Sequence, residues 1–199
     1  MIDISNISSE EPYTIFKNFY KKANSSNQKC IEGVCISSMN TESNEVESRM
    51  VNLKYIIDDE WIFFSNYNSL KAQNFLNHDQ ISALFYWDSI NVQIRIKAKI
   101  FKTLSKFSDE HFEKRNIKKN ALSISSMQSQ PIDSYKTVIK NFENTLSNKT
   151  QDYTRPSYWG GYSFKPYYFE FWEGHASRIN KREVFIMNGN SWKYCILQP

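Results

Sequence analysis

Cysteine is scarce in this chain, and the three present, Cys30, Cys35 and Cys195, form no C-x-x-C pair. The three histidines do not cluster near them, so the spacing offers no zinc site and no metal ligands are expected. So few cysteines, and an odd number, fit a reducing compartment rather than a disulfide framework. Long hydrophobic runs are missing as well: no stretch approaches the roughly 20 apolar residues of a membrane-spanning helix. Met1 to Glu11 are polar and acidic, without the apolar segment of a secretion signal, so the sequence reads as cytoplasmic and free of membrane. A strong excess of charge is also lacking. Lys+Arg 25 against Asp+Glu 21 leaves a net charge of +4. That balance admits anionic ligands but is too small and too dispersed to argue for nucleic acid. There is no internal repeat, long linker or low-complexity block.

What is present describes a soluble globular domain. A chain of 199 residues can bury one sizeable core, and 40% hydrophobic with 23% charged residues is ordinary for such a domain. Aromatic residues reach 16%, with 14 Phe and 12 Tyr, which favours strands over a helical bundle.

Hydrophobic periodicity predicts an opening helix over Pro12 to Ala23, with Ile15, Phe16 and Phe19 on one side. Strands are expected at 30–39 and 46–57 around the polar loop Asn40 to Glu45, then at Trp61 to Ser65. Ser69 is placed to cap a short helix, Leu70 to Asn77. Ile81 to Trp87 reads as another strand. Val92, Ile94, Ile96, Ala98 and Ile100 alternate with Gln93, Arg95, Lys97 and Lys99, a strand with one dry face and one wet face. A helix is expected to begin at Ser108-Asp109-Glu110, and a second over Ser134 to Leu146, with a polar loop at 147–157. Strands follow at Tyr158 to Phe164 and Tyr167 to Trp172. Asn188-Gly189-Asn190 signals a hairpin between Glu183–Met187 and Ser191–Leu197. The sum is an α+β domain dominated by an antiparallel sheet that closes into a barrel.

Cations recur where strands should be buried: Arg49, Lys54 and Lys71 lie in or beside apolar segments. Cations are rarely placed there unless something anionic meets them, which points to a phosphorylated ligand. Arg49 and Lys54 are five residues apart, so on an unbroken strand they face opposite sides. His111, Arg115 and Lys119 have the i, i+4, i+8 spacing of one stripe, if the helix from Ser108 runs that far.

Five segments together resemble the pyridoxine/pyridoxamine 5′-phosphate oxidase family. They are Ser48-Arg49-Met50-Val51-x-Leu53-Lys54, Phe63-Phe64-Ser65-Asn66-Tyr67-x-Ser69-x-Lys71, Gln128-Ser129, Trp159-Gly160-Gly161-Tyr162 and Glu170-Phe171-Trp172-x-Gly174. The resemblance implies a single FMN-binding split-barrel domain over 1–199, mainly antiparallel with flanking helices, and residues 1–28 as an N-terminal helical extension. It implies a homodimer with FMN at the subunit interface. Arg49, Lys71, Gln128 and Ser129 are carried over to the FMN phosphate end, with Met50, Phe64 and Ser65 beside them. Gln93, Trp172 and Arg182 are carried over to the flavin ring. Lys54, His111, Arg115 and Lys119 match the substrate-phosphate positions. Arg178 and Asn180 match the substrate-binding and catalytic positions over the substrate ring.

The activity so implied is oxidation of pyridoxine or pyridoxamine 5′-phosphate to pyridoxal 5′-phosphate, with molecular oxygen as electron acceptor. Besides Ile179 and Lys181, which stand where the family has Leu and Asp, the chain departs from the family pattern at four site positions. Leu70 stands where the family has Arg. His111 and Lys119 stand where it has Tyr and Ser, and Asn180 where it has His. These departures keep two alternatives open: an FMN oxidase of phenazine-pathway type with another substrate, or a flavin- or pyridoxal-phosphate-binding protein without turnover.

Overall fold

The computed structural model describes residues 1–148, 150 and 153–199. Of the expected polar loop 147–157, positions 149, 151 and 152 lie outside the described residues. Among the described residues nine strands form one sheet, whose path runs β1-β3-β2-β5-β6-β7-β8-β9 while β4 pairs with both β3 and β7. The strands are β1 (Asp3–Ile7), β2 (Gly33–Asn40), β3 (Glu45–Asp58), β4 (Glu60–Asn66), β5 (Gln80–Trp87), β6 (Val92–Lys102), β7 (Trp159–Glu173), β8 (Lys181–Asn188) and β9 (Ser191–Ile196). The pairings through β3, β2, β5, β6, β7 and β4 return to β3, so six strands close a barrel. The β8–β9 hairpin extends it on one side. All neighbours are antiparallel except β1, which lies parallel to β3.

Closure depends on two long strands that change partners along their length. β3 pairs with β2 over Glu45–Asn52 and with β4 over Leu53–Ile57. Its register against β4 shifts between Leu53 and Tyr55, which leaves Lys54 as an extra, bulged residue. β7 was expected as two strands interrupted at Lys165-Pro166. It is one strand of 15 residues, because Pro166 falls at a register shift against β6, where its missing N–H breaks no regular ladder.

Among the described residues five α-helices flank the barrel: α1 (Glu11–Ser25), α2 (Leu70–Asn77), α3 (Ser105–Lys114), α4 (Ile117–Ser125) and α5 (Tyr135–Ser147). Helix α1 buries Tyr13, Phe16, Tyr20 and Ala23 against the sheet, while Ile15 and Phe19 are only partly covered. Phe16 meets Trp61 edge-on at 4.5 Å and Phe85 at 5.5 Å. Truncating such a residue to Ala costs about 3–5 kcal/mol. Residues 1–28 hold more than a helix, since β1 precedes α1 and Ile2 is buried. The alternation across β6 is as read, with Val92, Ile94, Ile96, Ala98 and Ile100 all buried. Gly189 takes a left-handed φ of 62° at the β8–β9 turn. No described helix is long and apolar enough to cross a membrane.

Helix α3 differs most from expectation. It starts at Ser105, three residues before the expected cap, and ends at Lys114. Ser108 is fully buried instead, and accepts a hydrogen bond from the Gly161 N–H at 3.0 Å. A Cβ on Gly160 would collide with the Tyr67 hydroxyl and Ser108 Oγ, so this glycine is what lets α3 and the Tyr67 ring press onto β7. Arg155 anchors the start of α3 through Asp109 at 2.6 Å and Ser105 at 2.6 Å. Arg115 then adopts an extended backbone (φ −78°, ψ 147°), and α4 begins at Ile117 with the Asn116 side chain as its cap. His111, Arg115 and Lys119 therefore do not form one helical stripe.

Candidate functional site

The bulge in β3, the end of β4, the start of α2 and the α3–α4 corner enclose a cavity of about 750 Å³. That volume suits a small-molecule ligand. Among the described residues five cations line it, Lys54, Lys71, Lys114, Arg115 and Lys119, and no Asp or Glu does. The break at Arg115 is what turns α4 back, so that Arg115 and Lys119 both reach the cavity from different elements.

Lys71 is the most unusual of these. It is 8% exposed, at the start of α2, and its Nζ donates to Ser65 Oγ at 3.2 Å and Ser69 Oγ at 3.2 Å. Among the described residues no carboxylate lies within ion-pair reach of it. Burial first, and the neighbouring Arg49 guanidinium second, hold its pKa down from 10.5 to about 8. Buried charges are normally paired, so this ammonium lacks an anion. Gln128 closes the same corner, its Oε1 facing Ser65 Oγ at 3.5 Å and the Asn66 N–H at 3.4 Å. Ser69, expected as a helix cap, makes no capping bond, and its hydroxyl donates to the Asn66 carbonyl at 2.7 Å instead.

Arg49 stands beside this corner without lining the cavity. Its Nη1 donates to Ser38 Oγ at 2.7 Å and its Nη2 pairs with Glu47 at 3.0 Å. Asn74 Nδ2 holds the same Glu47 oxygen at 3.1 Å. Leu70 is 42% exposed and lines no part of the cavity. Met50, Phe64 and Ser65 do line it, whereas Ser129, at a left-handed φ of 72°, does not.

The other end of the cavity carries Lys54, His111, Arg115 and Lys119. Burial lowers the Lys54 pKa; the Glu32 carboxylate opposes this, and the Lys119 and Arg115 cations add to it. Arg115 stacks its guanidinium over Trp159 at 4.8 Å. Its Nη1 donates to the Lys119 carbonyl at 2.6 Å and to Ser123 Oγ at 2.7 Å, which fixes the fork. His111 lies face to face on Phe64, with ring centroids 3.7 Å apart and planes 6° from parallel. Burial, and then the cations Arg115, Lys54, Lys114 and Lys119, push its pKa down to about 4. His111 is therefore a neutral imidazole near pH 7.

The remaining candidates are elsewhere in the protomer. Gln93, Trp172 and Arg182 are successive cross-strand partners on β6, β7 and β8. Oriented with its oxygen toward Arg95, the Gln93 amide accepts from Nε at 2.7 Å. Arg182 is committed to Glu170, 3% exposed, through Nε and Nη2 at 2.8 Å each, and its Nη1 holds the Gln198 carbonyl at 2.9 Å. Arg178 is exposed with a left-handed φ of 60°. Asn180 accepts from the His175 N–H at 3.0 Å and borders a second, smaller hollow of about 350 Å³ with Arg182 and the C-terminal residues. None of these five residues lines the large cavity.

Sequence reasoning left Lys114, Trp159, Tyr55 and Glu47 without roles. Trp159 stood inside a recognised motif, where its aromatic surface was the available signal. Lys114, Tyr55 and Glu47 gave none, because each depends on the α3 break, the β3 bulge or the packing of α2. Among the described residues there is no group of three or more His, Cys, Asp or Glu able to hold a metal ion.

A closed six-stranded barrel, with a cavity between bulged strand and flanking helices that among the described residues is lined by cations and no acid, defines a split-barrel protein with an electropositive pocket. The family model described as the pyridoxine 5′-phosphate oxidase C-terminal dimerisation region matches residues 159–199. A pyridoxine/pyridoxamine 5′-phosphate oxidase from Christiangramia forsetii is 32% identical over 197 residues, spanning 96% of this chain and 89% of the relative. One from Colwellia psychrerythraea is 30% identical over 195 residues, spanning 96% and 88%. Among solved structures, PhzG from Burkholderia lata, in complex with tetrahydrophenazine-1-carboxylic acid, superposes with a TM-score of 0.89 at 24% identity, covering 95% of this chain and 93% of that one. A pyridoxamine 5′-phosphate oxidase-related FMN-binding protein from Nostoc punctiforme gives 0.77 at 11% identity, covering 96% and 99%. The chain belongs to the pyridoxine/pyridoxamine 5′-phosphate oxidase family.

Proposed function

We infer that this protein is an FMN-dependent oxidase that converts pyridoxine or pyridoxamine 5′-phosphate to pyridoxal 5′-phosphate, with oxygen as the electron acceptor. The observation that carries the reading is Lys71, a buried ammonium hydrogen-bonded to two hydroxyls, in a cavity that among the described residues is lined by five cations and no carboxylate. Such a corner fits a phosphate, which offers the missing negative charge and several acceptor oxygens. The FMN phosphate end is assigned to Lys71, Ser65 and Gln128, with Arg49 and Ser129 alongside, and Met50 and Phe64 as apolar contacts. FMN, when bound, supplies the two-electron acceptor that amino-acid side chains lack. Lys54, Arg115, Lys119 and His111 grip the substrate phosphate at the far end, so the two phosphates occupy separate cationic clusters.

Gln93, Trp172, Arg178, Asn180 and Arg182 are assigned to the same site from a second protomer. Their exclusion from the large cavity supports a homodimer whose site needs both chains, as does the match to a dimerisation region. In that arrangement Arg178 orients the substrate ring, and Asn180 offers hydrogen bonds without titrating. A cytoplasmic location agrees with the free cysteines.

A second reading is an oxidase of the same type acting on a different anionic substrate. It is favoured by Lys114 and Lys119, which bring more positive charge to the substrate end than one phosphate requires. The test is oxygen uptake and pyridoxal 5′-phosphate formation by FMN-loaded protein given pyridoxine 5′-phosphate. Turnover supports the first reading. Bound FMN without turnover leaves the second reading or a binding protein, and failure to bind FMN rejects every flavin reading.

A further inference from the structure

We propose that Tyr55 is a positioning residue for His111, holding the imidazole so that its Nε2–H faces the cavity and donates to the anionic group of the substrate. The inference rests on the reading that the far end of the cavity grips an anion. Tyr55 does not itself line that cavity; its hydroxyl meets His111 Nδ1 at 2.8 Å from behind. With Nδ1 engaged there, Nε2 is the ring nitrogen left for a ligand.

The ring has little freedom to do otherwise. It is stacked on Phe64 at 3.7 Å and runs nearly parallel to Trp159, 12° away at 6.2 Å. Tyr55 is fixed in turn, edge-on to Phe107 at 5.4 Å. The β3 bulge explains its presence: by inserting one residue it lets the consecutive Lys54 and Tyr55 both serve the cavity side.

The proton inventory then decides the roles. A neutral imidazole has one N–H, carried on either nitrogen. An anion at Nε2 selects the proton there, since the other tautomer would turn a lone pair on it. Nδ1 must then accept, and needs a donor. Burial raises the Tyr55 pKa, so its hydroxyl keeps its proton and can supply that bond. Charging the ring instead is disfavoured by burial and by Arg115, Lys54, Lys114 and Lys119 around it. Tyr55 thus acts only through His111, and its hydroxyl should count only while His111 is present.

The test is a double-mutant cycle on FMN-loaded protein with Tyr55→Phe and His111→Phe, both of which keep their ring packing. Inorganic phosphate and pyridoxine 5′-phosphate are the probes. Tyr55→Phe should raise the phosphate Kd and the KM by about three- to tenfold, with kcat within about twofold. In the His111→Phe background the same change should alter neither. In phosphate-saturated wild type, 15N shifts of His111 should report the Nε2–H tautomer, and Tyr55→Phe should mix the two. An Nδ1–H tautomer in wild type, an equal Tyr55→Phe effect without His111, or no phosphate binding at all would overturn the proposal. Phosphate binding with intact tautomer selection but no turnover of pyridoxine 5′-phosphate would reject only the substrate reading.

Discussion

Lys71→Met separates what the cation does for stability from what it does for binding, because the two effects have opposite signs. In the ligand-free protein the Lys71 pKa falls from 10.5 to about 8, which at about 1.36 kcal/mol per pH unit makes the charged form roughly 3 kcal/mol less favourable than in water. A lysine held below its unfolded pKa destabilises the fold fully below about pH 8, and the effect fades as pH rises to 10.5. Methionine keeps most of the stem's volume without the charge. Ser69 retains its bond to the Asn66 carbonyl at 2.7 Å and Ser65 faces Gln128 at 3.5 Å, so neither hydroxyl is stranded. Without FMN at pH 7, Lys71→Met should therefore be more stable than wild type, by up to roughly 3 kcal/mol, with the gap closing toward pH 10.5. FMN affinity should move the other way. One charge-assisted hydrogen bond is worth about 1.5–3 kcal/mol, or about 10- to 150-fold in Kd. Urea melts across pH 7–10.5 and flavin fluorescence titrations measure the two. A variant that is less stable without FMN at pH 7, or that binds FMN as tightly as wild type, refutes the reasoning.

Leu70→Arg restores the cation that the family pattern places beside Lys71. Flavin titration should show FMN bound about 10- to 150-fold more tightly, and equal affinity would mean that position 70 does not reach the phosphate. Glu47→Gln removes the carboxylate now paired with Arg49 at 3.0 Å. A partly exposed pair is worth about 0.2–1 kcal/mol, so FMN should bind up to about fivefold more tightly, and weaker binding would show that Glu47 positions Arg49 instead. Mixing Lys71→Met with Arg178→Ala subunits, at FMN too dilute to load the Lys71→Met site, tests the shared site. Random re-pairing gives hetero-dimers with one intact site in half the molecules, hence about a quarter of wild-type activity. No recovery would place both residues in one chain's site.

The strands were legible because each carries its own signal: alternation on β6, the Asn-Gly turn after β8, the apolar run of β5. What was not legible came from contacts between distant segments. Strand β1 looks polar and short, and it exists because Ile2 and Ile4 find a hydrophobic edge on β3. The continuity of β7 through Pro166 depends on the register of β6, which no local pattern reveals. The early start of α3 follows from Ser108 turning inward to Gly161, where a residue with good capping chemistry is used for packing instead.

The site shows the same division more sharply. Residue types were readable, since cations beside apolar strands ask for an anion wherever they end up. Their grouping was not. His111, Arg115 and Lys119 looked like one stripe, yet they meet because the helix breaks at Arg115 and returns as α4. An intact helix would have set them along a face roughly 12 Å long, at about 1.5 Å per residue, too extended to close on one phosphate. The break converts a solvated basic face into one wall of a cavity, opposite Lys54 on its bulge. Both irregularities therefore lie at the cavity wall and not in the barrel's regular pairing. This is where local sequence preference is expected to yield to function. It also explains why the four departures from the family pattern can coexist with an unchanged fold. Leu70, His111, Lys119 and Asn180 all fall at the start of α2, at the α3–α4 corner or in the loop before β8, outside the pairing that closes the barrel.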